Sequence, residues 1–179
     1  MTDAIRVLLA DDHPLYRRGL QQLLDSAAST CVVGEVDNGA DAVEQAIALQ
    51  PDVIVMDLNM PVLDGVEATR QVIAASPHIG VLVLTMHEDD DSVFAAMRAG
   101  ARGYLLKGAD AEEITRAVLA VAGGEAIFGA SVARRVLEWF AAPRAVSVAG
   151  VFPELTAREH EVLDLLAAGC GRDTGGHDE

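Results

Sequence analysis

The sequence predicts an α/β protein built on a five-stranded parallel sheet with crossover helices, and three observations predict it. Short apolar runs alternate with longer segments of helical period until about residue 122. Those runs are rich in Val, Ile and Leu throughout, as strands buried on both faces require. The composition, 51% apolar but only 4% aromatic over 179 residues, supports an aliphatic packed core.

Taken in order, strands are expected at 5–10, 31–36, 53–56, 81–84 and 103–106. Apolar stripes at 15–24, 40–49, 66–73 and 93–97 predict the helices between them, with Pro14 in the first turn of the first. The clearest helix starts after Asp110, its expected N-cap. There Ile114, Ala117, Val118 and Val121 fall at i, i+3, i+4 and i+7, a stripe that can dock on a sheet. Gly123-Gly124 then interrupts the pattern. One more helix is expected at 130–140, followed by a linker of small residues and proline at 141–153. Thr156 and Glu159 form a capping box for a last helix, whose apolar face is Val162, Leu163 and Leu166. From Gly169 onward, four glycines in eleven residues leave nothing to bury, and disorder is expected. The domain plan is therefore a first domain at 1–122, a linker with one helix at 123–154, and a helical remnant with a tail at 155–179.

The formal charge of −15 argues against unaided binding to nucleic acid. Residues 123–179 repeat the imbalance, with five Arg against nine acids. No apolar run reaches membrane-spanning length, and the N-terminus lacks the features of a secretory signal, so a cytoplasmic location without membrane contact is expected. Two cysteines, Cys31 and Cys170, make no disulfide framework, and Cys31 is expected as a small core residue. Twelve of the thirteen basic residues are arginine; the one lysine is Lys107.

Ligands of open α/β sheets bind outside the carboxyl ends of the strands. The first strand runs into Asp11-Asp12, the third into Asp57, the fourth into Thr85 and the fifth into Lys107. Three carboxylates gathered in a cleft repel one another until they take up protons or a cation, and an all-oxygen site suits Mg²⁺. Asp57 at the centre can act as a nucleophile toward phosphorus. The metal charge, the Lys107 ammonium and the Thr85 hydroxyl would then stabilise the oxygens of a phosphoryl group in transfer.

The same residues carry a family resemblance. Residues 5–122 resemble the receiver domain of bacterial two-component response regulators, in particular the NarL/FixJ group. The matching text is Val-Leu-Leu-Ala-Asp-Asp-His-Pro at 7–14, Val-Met-Asp-Leu-Asn-Met-Pro at 55–61, Asp-Gly at 64–65, Leu-Thr at 84–85 and Gly-Tyr-Leu-Leu-Lys at 103–107. The resemblance implies a flavodoxin-like (βα)5 fold with strand order 2-1-3-4-5. It implies that Asp57 accepts a phosphoryl group from a sensor histidine kinase, and that Asp11 and Asp12, with Asp57 and the backbone carbonyl of Asn59, hold Mg²⁺. Thr85 and Tyr104 would form the switch that reorients on phosphorylation, and Lys107 would contact the phosphate. Many receivers follow this lysine with proline, where this chain has Gly108, which leaves open whether the familiar cis peptide occurs. A homodimer follows from the family and not from spacing.

Plainer readings exist for several of these residues. Asp11-Asp12 can be a strand-to-helix turn with an N-cap, Thr85 a structural strand-end threonine, and Tyr104 a core aromatic with a satisfied hydroxyl. His13 is left structural, because an oxygen-lined Mg²⁺ site does not favour imidazole. His78, His87, His160 and His177 share no metal-ligand spacing. The run 88–91, Glu-Asp-Asp-Asp, is expected as a solvated helix start. A phosphatase of the haloacid dehalogenase type also uses an Asp nucleophile. It needs a second Asp two residues on, and that position is Asn59.

Receivers of this group feed a LuxR-type helix-turn-helix domain, and Leu155-Thr156-Ala157-Arg158-Glu159, with Val162-Leu163 and Ala167-Ala168-Gly169, resembles its opening helix. No basic recognition helix follows, so specific DNA binding by this chain is not expected. A frameshift, a natural stop or an engineered end would all read this way. The expected role is thus a phosphorylatable switch of transcriptional lineage and not an enzyme, self-dephosphorylation aside. The alternatives are a receiver acting as phosphate sink or dimerisation partner, or the phosphatase just discounted.

Overall fold

Val, Ile and Leu alternate their side chains across each strand, so a run of them buries both faces of a sheet at once. In the computed structural model, which describes residues 4–141 apart from the side chains of residues 139 and 140, these runs form β1 (Ile5–Ala10), β2 (Thr30–Val36), β3 (Val53–Met56), β4 (Gly80–Thr85) and β5 (Gly103–Leu106). The helices between them are α1 (Pro14–Ser26), α2 (Gly39–Leu49), α3 (Gly65–Ala75), α4 (Asp90–Ala99) and α5 (Ala111–Ala122). All strand pairs are parallel. The starts of α2, α3, α4 and α5 are set by short polar side chains. Asn38, Asp64, Asp89 and Asp110 each cap a helix by accepting the backbone N–H three residues on. No described helix is long and apolar enough to cross a membrane.

The sheet does not stop at β5. Gly124 turns the chain at φ +84°, and β6 (Ile127–Phe128) pairs with β5 through Gly103 and Tyr104. The order is β2-β1-β3-β4-β5-β6, six strands where the sequence predicts five. Two residues are too few to show a strand period, and the flanking Glu125-Ala126 gives no apolar run, which is why this strand is silent in the sequence. The last described helix, α6 (Ala130–Ala141), then packs back on the sheet, and the first compact unit of the chain runs to Glu138.

Alternation divides the core in two. Val7, Leu9, Val53, Val55, Leu82, Leu84 and Leu105 pack with Leu20 and Leu24 of α1 and with Ile114, Ala117, Val118 and Val121 of α5. On the opposite face, Leu8, Ala10, Ile54, Met56 and Val81 pack with Ala42 and Ala46 of α2 and Ala68 and Val72 of α3. A third cluster joins Leu58, Val83 and Tyr104 to Val93 and Ala96 of α4 and to Val132 of α6. Val132 is fully buried, and Arg135 pairs with Asp90 at 3.1 Å across the same junction. Val132→Ala is expected to cost about 2 kcal/mol of stability, from two buried methyl groups at about 0.8 kcal/mol each plus the cavity they leave. Urea unfolding checks it, as a lower midpoint at unchanged slope. An unchanged midpoint would mean that α6 is not docked in solution.

Cys31 departs from its expected place in the core, since it is exposed on the edge strand β2. The Lys107–Gly108 peptide is trans, as are all described peptide bonds. The expectations for residues 142–179, namely the linker, the opening helix of an output domain and the glycine-rich tail, lie outside the described residues.

Candidate functional site

Sheet register brings the candidate residues together. Ala10 pairs with Met56 at the ends of β1 and β3, so Asp11 and Asp57 each stand one residue beyond the last pair of adjacent strands. The backbone N–H of Asp57 donates to the Ala10 carbonyl at 2.8 Å. Thr85 pairs with Leu106 at the ends of β4 and β5, and the N–H of Lys107, one residue further, donates to the Thr85 carbonyl at 2.8 Å. The strand order reverses between β1 and β3, the position where open sheets bind ligands.

Lys107 closes the constellation. Its Nζ lies 2.7 Å from Asp11 Oδ2 and 2.7 Å from Asp57 Oδ2, and all three side chains are at most 6% exposed. Burial pushes the ammonium toward the neutral form, but the hydrogen bonds and charges of Asp11 and Asp57 outweigh it and hold the lysine above its ordinary range. Beneath the ammonium, 4.8 Å from Nζ, lies the ring of Tyr16.

Asp12 and His13 complete the mouth of the site. One ligand atom from each of Asp11, Asp12, His13 and Asp57 lies within 4.8 Å of all the others. His13, set aside on sequence, places Nδ1 2.7 Å from Asp12 Oδ1, 3.3 Å from Asp11 Oδ1 and 4.0 Å from Asp57 Oδ2. Asp12 Oδ1 is nevertheless buried and makes no hydrogen bond, the His13 ring nitrogen at 2.7 Å included. With the carboxylates ionised, three negative charges face one ammonium, and the remainder matches a single divalent cation. The orphaned oxygen and the oxygen-rich donor set fit Mg²⁺ held by Asp11, Asp12 and Asp57. The plainer turn reading is present too: His13 is the N-cap residue of α1 without a side-chain cap, and its N–H donates to Asp11 Oδ1 at 2.7 Å.

Thr85 is fully buried, and its Oγ1 accepts the N–H of His87 at 3.4 Å. Tyr104 is also fully buried, with its hydroxyl donating to the His87 carbonyl at 2.8 Å. Burial, with Asp89 and Asp57 nearby, pushes that hydroxyl well above the usual tyrosine range, so it remains a donor. His87 also meets the loop after Asp57, its Nε2 lying 2.5 Å from Nδ2 of Asn59, whose side chain faces outward. His87 thus touches three of the predicted residues. Sequence reasoning dismissed it for want of metal-ligand spacing, and only its position two residues after Thr85 could have signalled it. Asp89, by contrast, is held below its usual range by hydrogen bonds from Ser92 as the cap of α4, in line with a solvated helix start for 88–91.

The loop after Asp57 is tightly built. Gly65 donates its N–H to the Leu58 carbonyl at 2.8 Å, and a side chain at Gly65 would strike the carbonyl oxygen of Asp57. The Asp64-Gly65 pair therefore combines a helix cap with a residue that can lie against the backbone of Asp57. Leu63 N–H donates to the Pro61 carbonyl, closing a γ-turn around Val62 at φ +69°, a strained conformation for a β-branched residue.

Comparison with known proteins places this geometry. The response regulator receiver domain family matches residues 7–119. The transcriptional regulatory protein LiaR of Bacillus subtilis is 41% identical over 165 residues, spanning 92% of this chain and 77% of that protein. The transcriptional regulatory protein YxjL of the same organism is 39% identical over 168 residues, spanning 93% and 77%. Among solved structures, a two-component response regulator of the LuxR family from Aurantimonas sp. SI85-9A1 superposes with a TM-score of 0.74 at 31% identity, covering 78% of this chain and 99% of that one. The chain therefore belongs to the response regulators of two-component systems, in the NarL/LuxR group, and its described unit is a receiver domain.

Proposed function

We propose that the chain is a phosphorylatable switch, in which Asp57 accepts a phosphoryl group from a sensor histidine kinase in a Mg²⁺-dependent reaction. One observation carries this reading: a buried carboxylate just beyond β3 shares a single ammonium with a second carboxylate, beside a third with a buried oxygen that makes no hydrogen bond.

In this scheme an Asp57 carboxylate oxygen forms a bond to phosphorus as the bond from phosphorus to the donor's leaving atom breaks, and the leaving group departs with its electron pair. Asp11, Asp12 and Asp57, with the Asn59 carbonyl, would hold Mg²⁺, which when bound supplies charge neutralisation to the phosphoryl oxygens. Lys107, already in contact with Asp57, moves its ammonium to one of those oxygens, and the Thr85 hydroxyl donates to another. Tyr104 and Thr85 then carry the change to the β4–α4 loop through His87, which both already contact. Residues 123–179, acidic on balance, are assigned no DNA contact of their own.

Incubation with acetyl phosphate and Mg²⁺ tests the reading. One hydroxylamine-sensitive phosphate per chain is expected, with labelling lost in excess chelator and restored by Mg²⁺. Undiminished labelling in chelator would remove the metal from the scheme, and no labelling at all would remove the scheme.

A further inference from the structure

We propose that Tyr16 is a positioning residue for Lys107, holding the side chain by its ring and the backbone by its hydroxyl. The inference rests on the phosphoacceptor reading above and concerns a residue that reading does not use.

Tyr16 stands in the first turn of α1, where Pro14 opens the helix immediately after the acidic pair. Its ring packs against the core cluster of β1, β3 and α5 and lies under the Lys107 ammonium, 4.8 Å away. The hydroxyl donates to the carbonyl of the same lysine at 3.3 Å. After the lysine, the Ala109 N–H donates to the Leu106 carbonyl at 2.9 Å and closes a turn around Lys107 and Gly108. Gly108 is exposed, and a side chain there would meet nothing within 4 Å. Within that turn the lysine's own N–H is held by Thr85 and its own carbonyl by Tyr16. Burial near Asp11 and Asp57 pushes the Tyr16 hydroxyl up to about 12, so it is a standing donor at neutral pH.

The consequence lies in what Lys107 does when a phosphoryl group arrives. Its ammonium must leave Asp57 for a phosphoryl oxygen on a long, rotatable stem. A ring face beneath it narrows the places it can go, because the cation is attracted to that face wherever water is excluded. Of the two contacts the ring is the stronger, since 3.3 Å is long for a hydroxyl donor. Tyr16→Phe should therefore keep most of the effect and Tyr16→Leu lose it.

Two measurements test this on the full chain. Lys107 is the only lysine, so lysine-labelled protein gives a single side-chain spin system in NMR spectra recorded without metal. Its ε-methylene protons are expected to be shifted upfield by the ring in wild type and Tyr16→Phe, and to lose that shift in Tyr16→Leu. Labelling from acetyl phosphate with Mg²⁺ should fall within about twofold of wild type in Tyr16→Phe and about fivefold in Tyr16→Leu, the weight of one partly desolvated cation–π contact. In a Lys107→Met background, Tyr16→Leu should change the rate no further. An equal fivefold loss in that background, or an ε-methylene shift indifferent to Tyr16→Leu, overturns the inference while leaving the phosphoacceptor reading standing. Absence of label on wild type overturns that reading, and this one with it.

Discussion

Asp57→Asn is expected to abolish phosphoryl labelling while leaving the fold as stable as before or more so. The amide keeps the shape of the carboxylate but offers no anionic oxygen to attack phosphorus, and removing a covalent nucleophile costs on the order of 10⁴-fold or more in rate. Little of the architecture depends on the lost charge. The hydrogen bond from residue 57 to Ala10 is made by the backbone, and Lys107 keeps its 2.7 Å partner in Asp11. One fewer carboxylate then crowds the site, which relieves repulsion in a cleft of reduced dielectric. The paired outcome is diagnostic: no hydroxylamine-sensitive phosphate, with a thermal midpoint at or above that of wild type. Equal labelling of the variant would place the acceptor on another residue. A lower midpoint would show that the three-acid arrangement stabilises the fold, contrary to the electrostatics of the site.

Much of the architecture behind this site is written in the sequence, because each strand is a Val, Ile and Leu run that ends abruptly in a polar residue. Asp11, Asp57, Thr85 and Lys107 could be placed at one rim from those endings alone, and register puts them there. Contacts across the site were not legible. His13 follows the acidic pair in sequence, but its approach to Asp12 and Asp57 is set by how α1 leaves β1. Tyr16 reads as one aromatic in a helical stripe, and its partner lies 91 residues away, just past the end of β5. The sheet's sixth strand carries too few residues for any periodicity, and α6 reads as a linker helix until Val132 is seen among Tyr104, Val83 and Val93. Cys31 failed for a related reason: a small apolar residue in a strand is buried only if a helix covers its face, and β2 lies at the sheet edge.

Lys107→Met should destabilise the protein by about 3 kcal/mol, since removing one partner from a buried ionic cluster leaves uncompensated charge behind. A surface ion pair would cost no more than about 1 kcal/mol, so the size of the effect separates the two cases. Methionine keeps the length of the stem, and the loss can be attributed to the ammonium that Asp11 and Asp57 share. The pH dependence carries a definite sign. Lysine's ordinary value is 10.5, and Lys107 is held above it in the folded protein. Its contribution is therefore fully present below the ordinary value and is lost as pH rises through the raised one. The stability gap between wild type and variant should stay flat through neutral pH and close above about 10.5. Mg²⁺ should act in the opposite direction. Ammonium and metal draw on the same carboxylates, so the variant should bind the ion more tightly, and saturating Mg²⁺ should raise its urea midpoint more than that of wild type. A gap under about 1 kcal/mol at pH 7, or a midpoint that Mg²⁺ raises equally in both proteins, would show that Lys107 is a rim charge and not the counterion on which the three acids depend.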